Sequence, residues 1–264
     1  MRLLSALSLG LLLAAGAAQA AEVPAPLASL RNQIEASDYR ATGQLVRVDA
    51  NGNRISYAIA VKGLWFRDAM HTLVEIVPPK SVAAQARQDQ RVRILLEMRP
   101  DGRDSIKIFR PREPAPAMLP FDRWGESFLG TAISYEDLFD PQYFWPGQTI
   151  LRDAVHGGRQ CQLLKSTPGP SDRTHYSDVQ TCLDRTIDYP IYAEKVMKQG
   201  AMVKEFTYYG LRQSNRVWSA TQVEARIRGR AGSTLLIVKR GSANAHLSVN
   251  DFQPEQINHF EDRP

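Results

Sequence analysis

The chain is poor in the residues that carry most enzyme chemistry. It has two cysteines, Cys161 and Cys182, and five histidines, His71, His156, His175, His246 and His259. No two histidines stand at His-x3-His or His-Glu-x-x-His spacing, which excludes the common zinc motifs. The cysteines lack Cys-x-x-Cys spacing, which argues against a catalytic redox pair. No Gly-rich phosphate loop is present, and no Gly-x-Ser-x-Gly elbow accompanies His156-Gly157-Gly158, so that tripeptide reads as a plain turn. Glu136-Asp137 and Glu261-Asp262 are adjacent carboxylates, which usually act as caps or solvated charges rather than as an acid–base pair. No metal and no cofactor is expected, and the chain reads as a non-enzyme.

Long apolar runs are also scarce. One spans Leu3 to Ala15, behind Arg2 and ahead of Ala18-Gln19-Ala20, the three parts of a cleavable secretory signal. At this length it is short of the roughly 20 apolar residues that span a bilayer. Residues 1–20 are therefore expected to be removed before Ala21, with no cysteine after the cut to carry a lipid anchor. The remainder, 21–264, is expected to be one exported, soluble domain, and its longest apolar run, Leu235 to Val238, is only strand-sized.

Charge is mixed, with 33 Lys and Arg against 28 Asp and Glu. Between Arg87 and Arg112 the basic residues Arg91, Arg93, Arg99, Arg103, Lys107 and Arg110 interleave with Val92, Ile94, Leu96, Ile106 and Ile108, as expected of the wet face of strands. A minor, transient attraction to anionic membrane head groups stays open. A nucleic-acid partner is not expected, because no basic patch carries regularly spaced stacking aromatics. In an oxidising compartment the even pair Cys161 and Cys182 favours a disulfide. Two strands joined by the turn-rich 166–177 stretch would place Cys161 opposite Cys182 and Leu164 opposite Val179.

Patterning is that of a β protein. After Leu27, Leu30 and Ile34, which repeat at helical spacing, Tyr39 onward alternates with period two. Ile55, Tyr57, Ile59 and Val61 share one side of a strand over 54–62. Gly63 is expected to turn the chain into a long strand over 64–77, which Pro78-Pro79 ends. Strands are further expected at 91–98, 104–109, 159–165, 177–184, 190–198, 202–210, 216–227 and 233–240. The result is about eleven strands in a mainly β (α+β) fold, a curved antiparallel sheet or incomplete barrel with short helices over its concave face. No interval is long enough for crossover helices. Pro254, Ile257 and Phe260 suit a short terminal helix.

The middle of the chain, 111–146, breaks the alternation. It is rich in proline, glycine and aromatics, and within it Ser134-Tyr135-Glu136-Asp137 has the form of a capping box. Such an insertion is expected to cover the concave face as a lid over 121–145.

Here the residues resemble a known family. Phe109-Arg110-Pro111, Arg123, Ser127-Phe128, Gly130-Thr131 and Ser134-Tyr135-Glu136-Asp137-Leu138 resemble the motif of LolA-like outer-membrane lipoprotein-sorting proteins. The later order, Cys161 to Leu164, Tyr176 to Leu183, Tyr192, Gly200, Lys204, Trp218 and Thr234, is similar as well. The Pro-rich stretch 111–120 departs from the family's tighter turn. The resemblance implies a half-open barrel with helices in its mouth, a periplasmic location, and binding of lipids or the acyl chains of lipoproteins. It further implies that some relatives accompany exporters of the resistance-nodulation-division type.

Three readings follow. The first is a carrier of a hydrophobic ligand. Tyr57, Ile59, Val61, Phe66, Met70, Val74, Ile94, Leu96 and Met98 would line its cavity, Trp124, Phe128, Leu138 and Phe139 would form the lid, and Gly130, Thr131, Ser134, Tyr135, Glu136 and Asp137 the motif. The second is a non-catalytic accessory subunit of an envelope transporter or sensor, with a filled core. The third is an unrecognised hydrolase, which a buried histidine within reach of a serine and a carboxylate would mark.

Overall fold

The computed structural model describes residues 23–200 and 202–258; the expected signal segment, its cleavage site and Phe260 lie outside them. The strands are β1 (Tyr39–Val48), β2 (Arg54–Phe66), β3 (Ala69–Val77), β4 (Val92–Met98), β5 (Ser105–Phe109), β6 (Ala117–Met118), β7 (Gly147–His156), β8 (Arg159–Thr167), β9 (Tyr176–Asp184), β10 (Pro190–Met197), β11 (Val203–Tyr209), β12 (Arg212–Ser214), β13 (Val217–Ser219), β14 (Gln222–Ile227) and β15 (Ser233–Ala243). The helices are α1 (Ala25–Ala36), α2 (Ala84–Asp89) and α3 (Pro254–Asn258). Among the described residues, thirteen strands form one sheet in the order β6-β5-β4-β3-β2-β1-β15-β14-β11-β10-β9-β8-β7, and β12 pairs only with β13. Every pairing is antiparallel.

Two meanders, β1–β6 and β7–β11, are thus joined through β14 and β15. Leu45 and Ile94 of the first share one buried cluster with Ala193 and Phe206 of the second, so the sheet curls until both halves face a common core. Edges β6 and β7 do not meet, which leaves the barrel open. The bend at β1 passes through a register shift between Thr42 and Gly43 against β15. Only glycine fits there, since a Cβ at Gly43 would lie 1.9 Å from the carbonyl oxygen of Ile237.

The concave face is covered as expected. Helix α1 carries Pro26 in its first turn, where the missing N–H has no helical partner to lose, and buries Leu27 and Leu30 against Tyr143, Leu164 and Leu183. The middle segment runs through four 3-10 turns, Phe121–Arg123, Phe128–Gly130, Tyr135–Leu138 and Pro141–Tyr143, and buries Trp124, Phe128, Ile133 and Phe139 in the common core. On the convex face, Phe252 and Ile257 from the C-terminal segment cover Leu73, Leu95 and Phe109.

Several expectations need correction. The strand count exceeds eleven. Gly63 does not turn the chain: β2 runs straight through it to Phe66, and the reversal falls at Arg67, whose φ is 56°. Gly63 instead faces Tyr39, whose ring atoms would lie 2.4–2.7 Å from a Cβ at that position, so the glycine makes room for an aromatic ring. Thus the expected 64–77 strand is the end of β2 plus β3. The expected 216–227 strand breaks at Ala220 into β13 and β14. Strand β7, an exposed edge with weak alternation, was not expected at all. Cys161 and Cys182 do form a disulfide. Their strands are offset by two residues from the expected register: Cys161 faces Asp184, and Leu164 faces Thr181. A two-residue slip keeps every side chain on its face, which is why the bridge survives it. The charged face of β3–β5 is drier than expected, because the C-terminal segment lies over it. Arg91 and Arg93 both pair with Glu75 there, and Arg93 also bonds the carbonyl of Ile257.

Candidate functional site

The inner wall is not filled by the protein's own side chains. An outer hollow of about 370 Å³ lies between α1, the 138–144 stretch, the β12–β13 hairpin and strands β1, β3, β14 and β15. That volume falls within the range of small-molecule sites, about 300–1,000 Å³. A smaller hollow of about 200 Å³ adjoins it deeper in the sheet. Leu138, Asp140, Tyr208 and Val223 border both, so the two are in series.

Strand alternation positions the wall. Ile59 and Val61 of β2 and Val74 of β3 line the inner hollow, while Met70 of β3 and Met98 of β4 line the outer one. Ile94 and Leu96 point the same way but are fully buried in the core behind it. Tyr57 packs against that core without bordering either hollow. Phe66 is misplaced by the sequence reading: with β2 unbroken at Gly63, alternation puts Trp65 inward, where its ring stacks on Phe144 at 5.1 Å, and turns Phe66 to the other face. Of the lid residues, Leu138 and Phe139 border the outer hollow and Phe128 the inner one. Trp124 is core, its indole donating to the Leu119 carbonyl at 3.0 Å.

The motif residues do not touch the hollow as a group, Asp137 alone bordering the inner one; they fasten the 121–145 segment. Thr131 donates to the Phe128 carbonyl at 2.6 Å, and the Ala132 amide donates to Thr234 Oγ1 at 2.8 Å. Gly130 sits beside the Arg47 guanidinium with a positive φ of 68°, and the Tyr135 ring meets Phe128 edge-on. Ser134 and Asp137 form the expected capping box, with the Ser134 amide donating to Asp137 Oδ2 at 2.9 Å. Glu136, almost wholly buried, accepts from the Thr174 hydroxyl and from the His175 amide at 3.1 Å, with His175 Nδ1 at 2.9 Å.

Asp137 is the centre of a buried charge cluster. Its Oδ2 receives Lys204 Nζ at 2.6 Å, and its Oδ1 receives the Tyr176 hydroxyl at 2.7 Å with Lys195 Nζ at 3.3 Å. Lys195 also lies 3.4 Å from Asp140 Oδ1. Burial alone would push the Asp137 carboxyl up; the Lys204 and Lys195 ammoniums, with the Lys204 and Ser134 hydrogen bonds, outweigh it and hold the carboxyl far below the usual range. For Lys195 burial works downward, and Asp137 and Asp140 reverse it, keeping the ammonium charged. Burial, then the nearby carboxylates of Asp137 and Glu136, raises the Tyr176 phenol well above its ordinary range, so that it stays a donor.

Sequence reasoning missed Lys195 and named Lys204 only as part of the family-like order, with no role, although alternation places Lys195 with Ala193 and Lys204 with Phe206, two buried residues. It also missed Tyr39, Tyr208 and Val223 in the wall and Val217 at the mouth, and gave its hairpin neighbour Trp218 no place there. Among the described residues, no three or more His, Cys, Asp or Glu side chains converge as a metal site, and no helix is long and apolar enough to cross a membrane.

A family model whose description reads "-like: Uncharacterized protein" matches residues 80–259. No curated protein matches the chain. Three solved structures share its fold. A domain from Vibrio parahaemolyticus, named for outer membrane lipoprotein sorting, is 19% identical with a TM-score of 0.74, covering 88% of this chain and 98% of its own. A DUF1329 family protein from Desulfovibrio piger is 16% identical with a TM-score of 0.75 and the same coverage. A LolA superfamily protein from Nitrosomonas europaea is 13% identical with a TM-score of 0.63, covering 87% and 96%. At such identities the likeness establishes the fold, an open curved LolA-like sheet.

Proposed function

The chain belongs to the family whose model spans residues 80–259, and from that premise and its LolA-like fold we propose that it is a periplasmic, non-catalytic carrier of a hydrophobic ligand, a free lipid or the acyl chain of a lipoprotein. The observation that carries this reading is the unfilled outer hollow of about 370 Å³, walled by Leu30, Met70, Met98, Phe139 and Val223. A protein that served only as a scaffold would gain stability by filling such a space, since voids cost packing energy. An apolar hollow continued by a second, deeper one suits a chain-like guest better than a compact one. The name of the Vibrio parahaemolyticus domain points the same way. The reading extends to hand-over of the ligand to a membrane partner, a resistance-nodulation-division exporter being one such partner.

The test is native mass spectrometry on protein purified without detergent, alongside titration with a fluorescent fatty acid. Bound lipid and saturable binding are expected, and Val223→Trp, which adds bulk where the two hollows meet, is expected to abolish both while leaving the unfolding temperature near that of the parent. Absence of bound lipid together with absence of fluorophore binding would sink the reading.

A further inference from the structure

We infer that the ligand is an amphiphile with an anionic oxyacid head, a carboxylate or a phosphate, held at the mouth of the outer hollow by Arg212 with support from Arg40; this rests on the carrier reading. The charges along the hollow are distributed unevenly. On the inner side Asp137 is matched by Lys204 and Lys195, and Asp140, half-exposed where the two hollows meet, is matched by Lys195 at 3.4 Å, two carboxylates against two ammoniums. That end is self-compensated and has no charge to spare for a guest. The mouth differs. Arg40 and Arg212 both border it, together with the hydroxyl side chains of Ser37, Ser214 and Ser242.

The backbone of Arg212 is tied into the β12–β13 ladder, but its guanidinium makes no ion pair or hydrogen bond with any described residue. Arg40 is held only at 3.4 Å, by an Asp251 carboxylate that Lys62 also uses. One acidic group thus serves two cations there, and the rim carries excess positive charge. The Arg212 guanidinium is nevertheless placed. It reaches from the β12–β13 hairpin over β15 at Gly241, where a Cβ would stand 3.3 Å from Nη2. Gly241 pairs with Ala41 in the β1–β15 ladder, and both border the hollow. The absence of side-chain bulk at that pair opens a passage from the guanidinium to the apolar wall. A planar guanidinium suits an oxyacid in bidentate fashion. A tail laid through the outer hollow toward Val223, Leu236 and Ile59 would leave its head at the rim, partly in water, where the pairing is of moderate strength.

The test displaces a neutral dye, N-phenyl-1-naphthylamine, from the full chain with four ligands of matched chain length: oleate, oleyl-lysophosphatidate, oleyl alcohol and oleylamine. Both acids are expected to displace the dye at concentrations roughly fivefold below the alcohol, with the amine weakest. Arg212→Gln is expected to raise the oleate and lysophosphatidate concentrations by that factor and leave the alcohol unchanged. The two acids separate the sources: preference for one assigns the head as carboxylate or phosphate. Equal potency of alcohol and acids, or no effect of Arg212→Gln, would overturn the inference and leave the carrier reading standing. Dye binding with displacement by none of the four overturns the inference alone; failure of every probe to bind overturns both.

Discussion

The two halves of the curved wall hold the 121–145 segment by different chemistry. On β2–β5 the inward side chains are mostly hydrocarbon, Val74, Ile76, Ile94, Leu96 and Ile106 among them with Thr72 an exception, and Phe128 and Phe139 of the 121–145 segment join them in the common core. On β9–β11 the inward face carries Lys195, Lys204 and the Tyr176 hydroxyl, and the lid answers with Asp137. Hydrophobic contact is non-directional and tolerates sliding. A buried carboxylate with three donors fixes one position, because any shift strands a charge away from water. The first half supplies an apolar wall, and the second fixes where the 121–145 segment sits against it.

Removing the anchor is expected to have the largest effect. Asp137→Ala leaves two buried ammoniums without their shared partner and is expected to cost about 3–5 kcal/mol, read as a lower urea midpoint. Adding Lys204→Met to it is expected to recover part of that loss; no recovery would mean the cluster is not the anchor. The same site sets the acid limb. Because the folded Asp137 carboxyl titrates below its unfolded value, its contribution is full above about pH 4 and is lost as pH falls further.

The next effect belongs to the outer face of the second half. Replacing both Cys161 and Cys182 by serine, or reducing the bridge, is expected to cost roughly 3 kcal/mol, visible as a drop in unfolding temperature in reductant. Equal stability with and without reductant would refute a structural role for the bridge.

Asp104 sharpens the contrast, as a buried carboxyl with no cationic partner among the described residues. Burial lifts its pKa to about 7, and Asp172, Asp101 and Glu136 add to this against the single bond from the Arg99 amide. The folded state then holds the proton more tightly than the unfolded one, so stability falls as pH rises from about 4 to about 7. Asp104→Asn is expected to remove about 2 kcal/mol of that fall, measured by urea unfolding at pH 5 and pH 8. An unchanged slope would contradict the assignment. The smallest effect is expected in the apolar half, where Ile94→Val deletes one methylene and should cost about 1 kcal/mol. A loss comparable to that of Asp137→Ala would break the distinction between the halves.

These halves also differ in how far the sequence reveals them. The apolar wall is legible because large apolar residues recur at every second position, Tyr57, Ile59 and Val61 on β2 and Ile94, Leu96 and Met98 on β4, although Leu73 and Leu95 between them are buried on the opposite face. The turn residues mislead once, at Gly63, where the glycine serves the Tyr39 ring; that error moves Phe66 onto the wrong face in place of Trp65. The charged wall is far less legible, since a lysine in a strand reads as solvent-facing until a partner carboxylate from a distant segment is known. Ser134 and Asp137 are recognisable as a capping box, but nothing local tells that the same carboxylate binds Lys204, 67 residues on. The hollow itself depends on how α1 and the β12–β13 hairpin stop short of filling the trough, a matter of packing between segments far apart in the chain.

The most direct measurement is to load the protein with a fatty acid bearing a diazirine in mid-chain, irradiate it, and map the adducts by peptide mass spectrometry. Labelling is expected on the inner wall, at Met70, Met98, Val223 and the 138–144 stretch, and to vanish in Val223→Trp. Adducts confined to exposed edge residues such as Met118, Leu151 and Val155 would contradict a guest inside the sheet.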